Sequence, residues 1–192
     1  MVNRFLLVIS ALMLCSILLI GCSQEDTSIM GLGRSPFLTA VEKGDTTAVR
    51  AFLNKGANPN EADELGWTAL MNAAGKGYTD IAKMLLDKGA NVNAKTLNEW
   101  TPLMRAVEKG RAETAALLIK RGANINAQNK MGDSPLTLAV ASNNLATVKV
   151  LLEQKKNLNL MAKNKTGMSA MDIAKKKKNV EIIAVLTYAG AK

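Results

Sequence analysis

One stretch of the sequence decides the fold: residues 56–93 read GANPNEADELGWTALMNAAGKGYTDIAKMLLDKGANVN. The triplet Gly-Ala-Asn at 56–58 returns at 89–91 and at 122–124, an interval of 33 residues. A second asparagine keeps the interval at Asn60, Asn93, Asn126 and Asn159. So do the segments Thr68-Ala69-Leu70, Thr101-Pro102-Leu103 and Ser134-Pro135-Leu136. A constant interval of this length is typical of a repeat protein whose units are single supersecondary elements.

Each unit of this period predicts two short helices. Thr68 suits the N-cap of the first helix because its hydroxyl accepts a backbone N–H, and Gly77 permits the left-handed conformation that ends it. A second helix is expected from about residue 79 to residue 88, and Gly89 ends it. The apolar positions have helical spacing: Leu70, Ala73, Ala74, Ile81, Leu85 and Leu86. Because one unit alone leaves these faces uncovered, the array is stable only when its units stack.

The repeated pattern resembles the ankyrin repeat, whose form is T-P-L-H-x-A-A, a glycine turn, a second helix ending in L-L, and then G-A-D-x-N. The resemblance covers about residues 30–192 and implies an all-α solenoid of about five helix-turn-helix units joined by hairpin-like loops. The expected domain is 34–192, with units at 30–62, 63–95, 96–128, 129–163 and 164–192. Ankyrin arrays usually bind partners on a concave face formed by loop tips and inner helices.

Several departures from the ankyrin pattern are expected to change local geometry. The histidine of the family pattern is absent, so we expect its bond at the helix start to be lost in several units. The residues in its place are Met71, Met104, Thr137 and Asp172. In the fourth unit Lys155-Lys156-Asn157 replaces Gly-Ala-Asn and two extra residues lengthen the loop, while the last unit has Lys178 in place of the turn glycine. Terminal units of a solenoid are expected to be atypical.

Composition argues against the common enzyme classes. The chain has 192 residues and no histidine, which removes Ser-His-Asp and Cys-His catalysis and histidine metal sites. Cys15 and Cys22 both lie in the first 22 residues, so they form neither a disulfide framework nor a zinc cluster in the repeats. The sequence has no phosphate-binding glycine loop and no nucleophile-elbow motif. We therefore expect a protein that is not an enzyme and needs no cofactor or metal.

The first 33 residues predict export and lipid attachment. Residues 1–4 give a short positive start, and residues 5–20 are uncharged and almost entirely apolar, the plan of a signal peptide. Leu19-Ile20-Gly21-Cys22 resembles the bacterial lipobox, which implies cleavage before Cys22 and acylation of its sulfur. We expect a signal peptide at 1–21 and a lipid-anchored tether at 22–33. An uncleaved membrane anchor with an incidental cysteine is the alternative.

The lipobox resemblance implies a place in the bacterial cell envelope, with the chain anchored through Cys22 and facing the periplasm. Ser23 follows the cysteine where some lipoproteins have aspartate, and this resembles the class directed to the outer membrane rather than the inner one. Two or more acyl chains anchor a protein stably where one is marginal. Nucleic-acid binding would fit the net charge of +9, but it conflicts with export, so no nucleic acid is expected.

The resemblance places one column of exposed residues just before the Thr-Pro-Leu segments. This column contains both tryptophans of the chain: Arg34, Trp67, Trp100, Asp133 and Met168. Stacking of neighbouring units would bring Trp67 and Trp100 side by side, and tryptophan is enriched at the energetic centres of protein interfaces. The structural alternative is that each ring only covers the loop of the adjacent unit.

A second column, at the last exposed position of each inner helix, is basic: Lys43, Lys76, Lys109, Ser142 and Lys177. The column suggests an acidic partner, while solvated surface lysines are the alternative. Glu42 and Glu108 stand beside two of these lysines and weaken the local field. The expected partner-binding residues are Trp67, Trp100, Lys43, Lys76, Lys109, Arg34, Met168 and Lys177.

The last unit carries four consecutive lysines: Lys175, Lys176, Lys177 and Lys178. From Lys155 onward there are nine basic and two acidic residues, which suits anionic lipid headgroups and equally suits a solvated terminal cap.

The leading hypothesis is a protein-binding module of the bacterial envelope that recruits, inhibits or protects one partner. The alternative is a basic surface that adheres to anionic lipid, lipopolysaccharide or cell-wall polymer in a structural role.

Overall fold

The structure is a computed structural model that describes residues 35–154 and 156–191. The predicted signal peptide at 1–21, the tether at 22–33 with its lipidation residue Cys22, and Arg34 of the tryptophan column lie outside the described residues.

Ten α-helices, arranged as five helix-turn-helix pairs, make up the described part of the chain. The first helices of the pairs, the inner helices, are α1 (Pro36–Lys43), α3 (Ala69–Lys76), α5 (Pro102–Glu108), α7 (Pro135–Ala141) and α9 (Ala170–Lys176). The second, outer helices are α2 (Thr46–Asn54), α4 (Thr79–Asp87), α6 (Ala112–Lys120), α8 (Leu145–Leu152) and α10 (Val180–Ala189). The described residues contain no β-strand, only an isolated bridge between Ala62 and Thr68.

The pairs stack in sequence order, inner helix on inner helix and outer on outer, so the array is an all-α repeat solenoid as predicted. The core recurs with the repeats: Leu70, Leu103 and Leu136 occupy equivalent inner-helix positions, and each is about 1% exposed. Burying one such side chain stabilises the fold by about 1.5–3 kcal/mol. None of the described helices has the length and apolarity needed to span a bilayer.

Hydroxyl side chains begin all five inner helices. Each accepts a hydrogen bond from the backbone N–H three residues later, which satisfies one donor of the first turn. These N-caps are Ser35, Thr68, Thr101, Ser134 and Ser169. The sequence predicted this role from Thr68 alone, and the period extends it to the other units.

The expected loss of the histidine bond is only partly correct. Thr137 Oγ1 accepts a bond from the Ser134 N–H at 2.8 Å, and Asp172 Oδ2 accepts from the Ser169 N–H at 2.9 Å, so two replacements keep a reciprocal bond. The Ser169 hydroxyl also donates to Asp172, and these two bonds lower the pKa of Asp172 below its usual value. In the second and third repeats a fully buried methionine takes the place of the histidine, and there the bond is lost.

Asparagine side chains tie each loop to the next. Asn93 Nδ2 donates to the Gly122 carbonyl at 3.1 Å, while its Oδ1 accepts from the Asn124 N–H at 2.8 Å. Asn60 and Asn126 make equivalent pairs of bonds to the loops that follow them. The repeated asparagines therefore do more than shape their own turns, because they form a ladder that fixes the register between repeats.

This ladder corrects the expected register of the fourth unit. Asn126 Nδ2 donates to the Asn157 carbonyl at 2.6 Å and its Oδ1 accepts from the Asn159 N–H at 2.8 Å. Asn157–Asn159 therefore occupies the place of Gly-Ala-Asn, and the expected match with 155–157 is wrong. Asn159 is the first asparagine of its loop, since its Oδ1 accepts from the Met161 N–H, and Met161 takes the second position. The two extra residues are absorbed directly after α8, and the ladder survives.

Two side chains occupy turn positions where the earlier repeats have glycine. Between inner and outer helix the first three repeats use a glycine with positive φ, such as Gly77 at 81°. Asn143 (φ 59°) and Lys178 (φ 55°) stand in the fourth and fifth repeats. Asparagine tolerates this left-handed conformation, but it is strained for lysine. The last turn therefore forms with Lys178 in place of glycine, but the strained lysine makes that turn less stable.

Candidate protein-binding surface

The two tryptophans meet on neighbouring repeats, as their spacing predicted. The ring centroids of Trp67 and Trp100 are 6.4 Å apart and the ring planes are tilted by 42°. Both side chains are half-buried, so part of each ring remains open to a partner. An aromatic pair in this distance range stabilises itself by about 0.5–1.5 kcal/mol beyond area burial. The pair is therefore a preformed apolar surface and not two independent side chains.

Closed five-residue loops hold both rings in place. In the loop that ends at Trp67, Asp63 Oδ1 accepts bonds from the backbone N–H groups of Leu65 (3.0 Å) and Trp67 (2.9 Å). In the next loop Thr96 Oγ1 accepts from the Trp100 N–H at 3.0 Å. A backbone bond from the Leu97 N–H to the Leu65 carbonyl joins the two loops. Hydrogen bonds within each loop thus fix the backbone position of its tryptophan, and the stacking of repeats brings the two rings together.

Arg105, which the sequence analysis did not single out, completes the surface. Its guanidinium carbon lies 5.1 Å from the Trp67 ring centroid, within the range of a cation–π interaction. Its Nη1 pairs with Glu108 Oε2 at 2.8 Å, and Glu108 Oε1 also contacts Lys109 Nζ at 3.3 Å. The carboxylate therefore balances much of the positive charge beside the rings. The sequence feature that could have identified Arg105 is its position four residues, about one helical turn, before Lys109 of the basic column.

Gly75 makes room for this arginine. A Cβ at position 75 would lie 2.9 Å from Arg105 Cγ and Nε, which is closer than van der Waals contact allows. Arg105 therefore reaches from α5 across α3 to the tryptophan pair only because α3 carries no side chain at that point. The sequence places an unusual helical glycine there, at a cost of about 1 kcal/mol relative to alanine.

The basic column lies where the sequence placed it, at the carboxyl ends of the inner helices. All of its members are exposed: Lys43, Lys76, Lys109, Ser142 and Lys177. A lysine in this position also stabilises its own helix, by about 0.3–1 kcal/mol, through the helix dipole. Lys109 is paired with Glu108, as the neighbouring acidic residue suggested. The column is accessible to a partner, and it has a structural role in addition.

The other members of the tryptophan column do not join the pair. Asp133 accepts a hydrogen bond from Asn164 Nδ2 at 3.0 Å and so links the fourth and fifth loops. Met168 is half-buried and packs against the hydrophobic core. Both side chains thus have structural contacts, and the aromatic part of the column lies in the second and third repeats.

Three loop tips carry exposed apolar side chains that sequence reasoning missed. Leu65 is 59% exposed, Leu97 63% and Met131 60%, on three successive loops. Two of these loops are the ones that present Trp67 and Trp100. Large apolar side chains in such positions gain nothing for the fold, and exposed apolar groups in a row are typical of interaction sites. We call Trp67, Trp100, Arg105 and these three tips the tryptophan surface.

Comparison with known families agrees with this architecture. The family model described as ankyrin repeats (3 copies) matches residues 10–96, 37–129 and 103–192. No curated protein of similar sequence was found. Ankyrin repeats are generally interaction modules that bind other proteins and do not catalyse reactions. With the 33-residue period, the five stacked helix pairs and a match over most of its length, the chain belongs to the ankyrin-repeat family.

Proposed function

We propose that this protein is a non-catalytic binding module that captures one protein partner on the tryptophan surface. The observation that carries the proposal is the Trp67–Trp100 pair at 6.4 Å, half-buried and bordered by three exposed apolar tips. Interface energy concentrates in tryptophan, tyrosine and arginine side chains that exclude water, and this surface joins two such types. The exposed lysines at 43, 76 and 109 lie at the carboxyl ends of the inner helices and favour a partner with acidic groups beside its apolar residues.

We propose further that the module is tethered in a bacterial envelope. The lipobox-like residues 19–22 support acylation of Cys22, and the stretch that follows at 23–33 supports a short tether facing the periplasm. Such a tether confines the binding surface near one membrane, which raises the effective concentration of a partner held there. Recruitment, inhibition and protection of an envelope or secreted protein all fit this arrangement.

A photocrosslinking residue placed at Leu97 in intact cells tests the capture. The same residue at Lys83, exposed on the outer helix α4, is the matched control. We expect one protein to be crosslinked from position 97 and not from position 83. Trp100→Ala should weaken this capture about 30-fold, the equivalent of about 2 kcal/mol, with little change in the unfolding midpoint. Met161→Ala, which truncates an exposed apolar side chain outside the tryptophan surface, should leave it unchanged.

Equal crosslinking from both positions, or capture that survives Trp100→Ala, would remove the tryptophan surface from the function. Incorporation of labelled fatty acid tests the tether separately: it should occur in the wild-type chain and be absent in Cys22→Ser. Loss of the label with intact capture would leave the binding proposal standing, and unlabelled wild-type protein would reject the tether.

A second candidate function, adhesion to an anionic surface, is favoured by one observation. All four lysines from Lys175 to Lys178 are exposed, and Asp172, one of two acidic residues in the last repeat, is engaged in hydrogen bonds with Ser169. Adhesion carried by lysines fades as ionic strength rises, whereas capture on tryptophans persists. A salt series on both interactions therefore separates the two functions.

A further inference from the structure

The fifth repeat has one side that no described repeat covers, and the earlier repeats identify which of its residues lie there. Lys175 occupies the position of Val140, which is 1% exposed because the fifth repeat packs over it. Lys178 occupies the position of Gly77, whose missing Cβ would lie 2.8 Å from the Arg111 side chain of the next repeat. Two lysines thus stand at positions that face a neighbour elsewhere in the array.

An apolar stripe begins in this region. Val180, 78% exposed, occupies the position of Thr79, whose hydroxyl contacts that of Thr114 in the next repeat at 2.9 Å. Tyr188, 91% exposed, lies two turns further along α10, and the exposed Ala184 lies midway between them. Their equivalents, such as Lys83 and Asp87, are exposed in the earlier repeats too, so the stripe runs from the uncovered side onto the outer surface of α10. Residues four and eight positions apart fall on one helix face, so these three form a single stripe about 12 Å long. We call Lys175–Lys178, Val180 and Tyr188 the basic end face.

The charge of the basic end face restricts what covers it. Between residues 156 and 191 there are seven lysines and two acidic residues. A second copy paired through the same face would bring lysines against lysines, and a further repeat of the usual kind would have to bury Lys175 and Lys178 without counter-charges. An apolar stripe beside four lysines instead suits a surface that offers both fixed negative charge and an accessible hydrocarbon layer.

We propose that the basic end face adheres to an anionic phospholipid bilayer. The four lysines contact lipid phosphates, while Val180 and Tyr188 enter the headgroup region, where an amphipathic tyrosine is favoured. The inference rests on the second candidate function and deepens it, because it names the bilayer as the partner and adds an apolar contact to the electrostatic one. Adhesion at the fifth repeat would turn the array to one fixed orientation on the membrane.

Hydrogen exchange of the full chain on vesicles tests this proposal, because it reports on α10 separately from any contact made by the amino-terminal segment. Vesicles with one third phosphatidylglycerol are compared with pure phosphatidylcholine vesicles. We expect exchange in α10 to slow at least about tenfold on the anionic vesicles, with α4 as an internal reference that does not change. Replacing Lys175–Lys178 by glutamine should abolish the slowing. Val180→Ser with Tyr188→Ser should weaken it severalfold.

The matched control replaces four exposed lysines on other repeats by glutamine, which lowers the net charge equally: Lys55, Lys83, Lys88 and Lys130. This control should keep the slowing in α10. Equal exchange on both kinds of vesicle, or equal loss in the control variant, would overturn the proposal. Loss with the Lys175–Lys178 variant but none with the Val180 and Tyr188 variant would overturn the apolar contact and leave simple adhesion standing. Thermal unfolding of each variant confirms that the repeats remain folded.

Discussion

Asn93→Ala should weaken the array through the junction of two repeats and not through its own loop. The substitution removes two bonds, to the Gly122 carbonyl at 3.1 Å and from the Asn124 N–H at 2.8 Å. Both lie at an exposed loop where water competes, so each contributes about 0.5–1 kcal/mol, at the lower end of the usual range. We therefore expect a loss of about 1–2 kcal/mol, which in a domain of this size lowers the melting temperature by about 3–6 °C.

Urea unfolding followed by circular dichroism provides the measurement, and Met161→Ala is the matched control. Met161 occupies the equivalent position in a later loop, where it is 49% exposed, so its truncation should change stability by less than about 0.5 kcal/mol. Asn93→Asp keeps the acceptor and loses the donor, and its effect should fall between the two. Because the lost bonds couple neighbouring repeats, the unfolding transition should also broaden. Equal effects of Asn93→Ala and Met161→Ala would refute the ladder.

The remaining predictions concern a turn, a glycine and a carboxylate. Lys178→Gly should raise the free energy of unfolding by about 0.5–1 kcal/mol, measured by urea denaturation, because it relieves the left-handed strain at φ 55°. Gly75→Ala should displace Arg105 from the tryptophan pair and weaken partner capture in a titration, while helix propensity keeps thermal stability equal or higher. Asp172→Asn should make the free energy of unfolding less dependent on pH in the acid range. Hydrogen bonds from Ser169 lower the pKa of Asp172, so the carboxylate contributes its full stabilisation above the usual aspartate pKa of about 3.9. That stabilisation is lost as the pH falls through the lower pKa of the folded state. Urea midpoints across that range, compared with the wild-type chain, measure the difference.

The parts of the molecule that follow the period were predictable from sequence. Thr68 and its equivalents begin helices, and Leu70 and its equivalents form the core, because each repeat solves the same packing problem with the same residue types. The contact between Trp67 and Trp100 was predictable for the same reason, since residues one period apart must lie on adjacent repeats. The position of the loop insertion was not. Counting from Asn126 places Asn159 one period on, but the spacing alone does not say whether extra residues lie before or after that asparagine, and only the ladder bonds decide it.

The residues that give the binding surface its character escaped the sequence because they do not repeat. Arg105 has no charged counterpart at the equivalent positions Asn72 and Leu138, so a search for columns passes over it. Leu65, Leu97 and Met131 are 32 and 34 residues apart and fall out of the 33-residue register, although the loops bring them to adjacent tips. A repeat array needs its consensus to stack, and any residue that stacking does not require is free to serve a partner. In this family the period therefore predicts the scaffold, and the side chains that break the period are the first place to look for specificity.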